Sequence, residues 1–90
     1  MFAVDWTEST LSALASIWLN ASPAVRAQIT AATNRIEKEL RDRPLEKGES
    51  REGDDRIFVE MPLGVLYRVE EKTNKVVIAD IWLIRPRKKP

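Results

Sequence analysis

The chain has 90 residues, 43% apolar and 32% charged, with a formal net charge of +1, a balance that fits a folding globular protein and excludes a disordered or collagen-like one. It contains no cysteine and no histidine, which excludes a disulfide framework, a thiol nucleophile and the usual zinc or haem ligands. No metal or other cofactor is expected, and any catalysis would fall to Lys, Arg, Tyr, Asp, Glu, Ser or Thr.

At this size one core is expected, a single domain over residues 1–90 that buries about 60–65% of the surface of its unfolded chain. No apolar run approaches the roughly 18 to 20 residues that span a bilayer. The start "MFAVDW" lacks a basic lead and places Asp5 where a signal peptide is apolar, which points to the cytoplasm and away from a membrane partner. The charge is unevenly spread: residues 1–22 carry −2, 23–44 carry +2, 45–60 carry −3 and 61–90 carry +4. Arg85, Arg87, Lys88 and Lys89 make residues 85–90 a basic tail, so a cationic patch at that end is expected even though the overall charge implies none.

In chain order, Phe2, Val4 and Trp6 alternate with Ala3 and Asp5, the period of a half-buried strand. Thr7 or Ser9 can cap a first helix of about ten residues, whose apolar stripe is read as Leu11, Leu14, Ala15 and Trp18 with Ile17 beside it. Ser22 caps a second helix with Pro23 at its first position, where the missing N–H is no loss. Val25, Ile29, Ala32, Ile36 and Leu40 give that helix its buried face, and it should stop near Arg43, because a residue before proline is pushed out of helical geometry.

The stretch "LEKGESREGDD" is read as an exposed loop. From Arg56 the period falls to two: Ile57, Val59 and Met61 share a face, Pro62-Leu63-Gly64 is expected to turn, and Val65, Tyr67 and Val69 resume the alternation. A turn centred on Thr73-Asn74 leads into Val76–Ile84, apolar on both faces as a central strand is. The expected fold is α+β in two layers, β-α-α-β-β-β, with a helical hairpin packed on a mostly antiparallel four-stranded sheet.

The order of these elements resembles the RelE/ParE superfamily, the toxins of bacterial type II toxin–antitoxin modules that include plasmid stabilisation proteins. The resemblance rests on the strand "FAVDW", the helix ending "LRDRP", the glycine-containing charged loop, Arg56 at the next strand and, above all, "VLYRVEEKTNKVVIADIW". It implies a toxin neutralised by a small antitoxin and directed at ribosome-bound messenger RNA or at DNA gyrase. If the chain is an enzyme, the resemblance implies a metal-independent endoribonuclease, whose cations would stabilise charge on the transferring phosphate. Carried over residue by residue, the basic position opening the second strand is Arg56 and the one ending the last strand is Arg85, the two candidate catalytic residues. The arginine expected before "VLY" is Gly64, and the proton-handling side chain beyond the last strand has no counterpart.

Arg51, Arg68, Arg87, Lys88 and Lys89 are candidates for binding nucleic acid or the partner. Each has a plainer role available: Arg51 and Arg56 can pair with neighbouring acids, Arg68 with Asp80, and the tail can serve solubility. Tyr67 falls in phase with Val65 and Val69, so its ring is read as core with the hydroxyl at the margin. Trp82 is read on the same face as Ile78 and Ile84, packed or stacking on bases. Two classes of function stay open, the toxin and a non-catalytic relative that kept the sheet and lost toxicity.

Overall fold

The computed structural model describes residues 1–50 and 53–85. Strand β1 (Ala3–Trp6) leads into helix α1 (Glu8–Leu19), and α2 (Pro23–Asp42) returns to β2 (Glu49–Ser50), β3 (Asp55–Glu60), β4 (Leu63–Glu70) and β5 (Lys75–Leu83). The strands form one sheet ordered β1-β5-β4-β3-β2, in which β1 runs parallel to β5 and the other pairs are antiparallel. The two-layer α+β expectation therefore holds. The sheet gains a fifth strand, because Glu49 and Ser50, read as loop, pair with Ile57 and Arg56.

Local chemistry explains the helix ends. The Thr7 hydroxyl accepts the Thr10 N–H at 3.2 Å and the Ser22 hydroxyl accepts the Val25 N–H at 3.3 Å, so each helix opens with a side chain satisfying a backbone donor that has no partner within the helix. Arg43 closes α2 before Pro44, as the proline rule requires. Ile29, Ala32, Ile36 and Leu40 of α2 bury fully against Leu63, Val65, Tyr67, Val76, Ile78 and Ile81 of the sheet, which is the core. The Trp6 indole N–H donates to Glu37 Oε1 at 2.7 Å and fastens β1 to α2.

Three expectations are corrected. Helix α1 packs through Ala13, Leu14 and Ile17, while Leu11 and Trp18 are 50% and 39% exposed. The Arg26 guanidinium instead lies 4.4 Å from the Trp18 ring centre and donates to the Trp18 and Leu19 carbonyls, which ties α1 to α2. Leu63 and Gly64 belong to β4, so the β3–β4 turn lies at Met61-Pro62. Finally, Leu66 pairs with Asp80 and Tyr67 with Ile78, so Ala79 is an extra residue in β5. This bulge inverts the alternation beyond it. Ile78 faces the helices, and Trp82 faces away from them opposite Gly64.

Candidate functional site

The two candidate catalytic arginines do not meet. Arg56 pairs in register with Tyr67, which pairs with Ile78, whereas Arg85 follows the end of β5. Seven residues at about 3.3 Å each put Arg85 roughly 20 Å further along the sheet, too far for both to hold one phosphate.

Arg56 also has its donors engaged. It lies on the helix-side face and donates to the carbonyls of Leu45 (3.1 Å), Lys47 (3.2 Å) and Gly48 (3.3 Å) and to the Ser50 hydroxyl (2.9 Å). These are the acceptors of a strongly bent loop, and their partner is a carbonyl-gathering guanidinium rather than one paired with an acid. The Tyr67 hydroxyl lies under the same loop and directs its hydrogen at the carbonyls of Pro44 (2.7 Å) and Lys47 (2.5 Å). Burial pushes the Tyr67 phenol above its ordinary value, and the nearby Arg56 charge only partly offsets this. A phenol so held is a poor proton acceptor at neutral pH. Gly48 completes the arrangement: its φ is +70°, and a Cβ there would stand 2.5 Å from the Ile57 carbonyl oxygen and 3.0 Å from the Tyr67 hydroxyl.

Arg68 emerges on the sheet face away from the helices. It pairs with Asp55 at 2.9 Å, in place of the expected partner Asp80, whose carboxylate accepts the Ile81 N–H at 2.8 Å. Gly64, the position where the resemblance places an arginine, lies directly beneath the Trp82 ring; a Cβ would stand 2.5 Å from it. Arg51, Arg87, Lys88 and Lys89 lie outside the described residues.

Sequence reasoning missed a groove of about 750 Å³ between the α1–α2 turn and the end of β5. Its walls are mainly Ile17, Ala21, Val25, Pro62, Leu83 and Ile84, with Arg85 at the rim. The signal was available in part, since Leu83 and Ile84 extend the apolar run of β5 to and past its end.

No family model matches the chain, and no curated protein matches it in sequence. Solved structures do match in shape. A chain of the toxin–antitoxin complex RelBE2 from Mycobacterium tuberculosis superposes with a TM-score of 0.69 at 20% identity, over 91% of this chain and 90% of that one. A chain of the chromosomal ParDE system from P. aeruginosa gives 0.73 at 17% identity, over 94% and 98%. The isolated E. coli RelE toxin gives 0.61 at 14% identity, over 98% and 89%. The backbone fold read from the residue pattern is thus the one that the RelE and ParE toxins share.

Proposed function

We propose that this chain is the toxin of a type II toxin–antitoxin pair, acting in the cytoplasm by binding a protein such as DNA gyrase rather than by cutting messenger RNA. The toxin half of the reading is supported by likeness to structures described as RelBE and ParDE toxin–antitoxin complexes. The binding half is carried by one observation: Arg56 is spent on the loop carbonyls and stands roughly 20 Å from Arg85. Among the described residues these two candidate cations do not converge, so they offer a transferring phosphate no preorganised pair. Tyr67 hydrogen-bonded inward and Gly64 closed by Trp82 remove two further positions where such chemistry could be built.

The antitoxin is the small partner. The apolar groove, with Arg85 in its lining and no acid in its walls among the described residues, suits an apolar segment carrying a carboxylate. The basic tail, through Arg87, Lys88 and Lys89, would extend that contact. The test is induced expression alone and together with any short protein encoded beside it, following translation and DNA supercoiling separately. Arrest with lost supercoiling, relieved by the antitoxin, is the expected result. Normal growth with abundant folded protein would remove the toxin reading.

A further inference from the structure

The sheet face turned away from the helices is uncovered among the described residues, and its composition is unlike that of a phosphate-binding surface. Ile57, Val59 and Leu66 line its middle, and Val59 is 50% exposed. Trp82 lies across Gly64, so that the largest side chain of the face sits on bare backbone and is held in place from below. Around this patch the strand register places Asp5, Glu49, Asp55, Glu70 and Asp80 against only Arg68 and Lys75, a balance of −3 among the described residues. Both bases are already engaged, Arg68 with Asp55 at 2.9 Å and Lys75 with Asp5 at 3.2 Å. Asp80 has no cationic partner among the described residues and borders the apolar centre beside Leu66.

From these features we infer that the open sheet face is the surface that grips the toxin's protein target, through an aliphatic side chain set against Trp82 and Val59 and a lysine or arginine received by Asp80. The inference rests on the toxin reading and adds where the target docks. Charge selects the occupant: a polyanion meets net repulsion here, whereas a basic and apolar protein surface meets complementary charge and a fixed aromatic anchor. The groove at the other side of β5 is left for the antitoxin, so the two partners use separate surfaces.

The test compares wild type with Val59→Lys/Asp80→Lys, both at exposed positions, in induced cells. Losing both interface positions should weaken target binding about thirtyfold or more. The variant should therefore restore colony formation while keeping the wild-type melting temperature and still co-purifying with the antitoxin. Asp80→Lys alone, on an exposed carboxylate, serves if the double variant melts early. A folded variant that arrests growth as wild type does overturns the assignment of this face. Arrest accompanied by cuts in ribosome-bound messenger RNA, abolished by the variant, overturns the protein target in favour of RNA. If wild type itself fails to arrest growth, the toxin reading has failed, and this assignment falls with it.

Discussion

The close approach of Trp82 to Gly64 gives a substitution whose sign is diagnostic. A Cβ at Gly64 would stand 2.5 Å from both Cε2 and Nε1 of the Trp82 ring and 2.8 Å from Cζ2. Replacing a strand glycine by alanine ordinarily stabilises by about 0.5–1 kcal/mol, because the unfolded chain loses freedom. Here the methyl must displace an indole, an overpacking that costs about 1–3 kcal/mol. The second effect wins, and Gly64→Ala should lose about 1 kcal/mol or more, a drop in Tm of about 4–8 °C for each kcal/mol in a domain of this size. Thermal unfolding followed by circular dichroism measures it. In a Trp82→Ala background the same change should become neutral or stabilising, so the double-mutant cycle returns a coupling of about 1 kcal/mol or more. A Gly64→Ala protein that melts at or above the wild-type temperature would refute the placement of Trp82 over this glycine, and with it the bulge at Ala79 that puts it there.

Arg56→Ala leaves the Leu45, Lys47 and Gly48 carbonyls short of a charged donor and should cost about 1.5–3 kcal/mol, with faster amide exchange confined to the loop between α2 and β3; a catalytic role alone would leave stability unchanged. Tyr67→Phe should cost about 1–2 kcal/mol by denaturant titration, since it leaves buried carbonyl acceptors without the hydroxyl. The phenol's value is raised in the fold above its ordinary 10.0, so the stability it contributes is full below about pH 10 and is lost as the pH climbs through the folded value. Tyr67 is the only tyrosine, so tyrosinate absorbance should rise together with unfolding rather than before it.

Much of this fold was legible because its signals are local. The α2 pattern from Val25 to Leu40, its Ser22 cap and its stop before Pro44 each follow from side chains within one turn of where they act. Helix α1 was legible as a helix but not in its facing, because Leu11, Leu14, Ile17, Trp18 and Leu19 leave no clear polar side and two stripes compete. Strand β5 was legible as central, yet Val76, Val77, Ile78 and Ala79 are apolar on both faces, so nothing in them marks the extra residue. One bulge was enough to move Trp82 to the other face of the sheet. The engagement of Arg56 was not legible either: apart from the Ser50 hydroxyl its acceptors are backbone carbonyls of the loop that Gly48 bends at positive φ, and carbonyls carry no sequence identity. The resemblance carried Arg56 and Arg85 over together, and only the strand register shows how far apart they lie.

The most direct measurement is to induce the chain alone and to map the 5′ ends of ribosome-bound messenger RNA as growth stops. The expected result is growth arrest with the messages intact. Arrest with new cleavage ends on the ribosome would contradict an action through binding, and uninterrupted growth with soluble, folded protein would contradict the proposed toxin role.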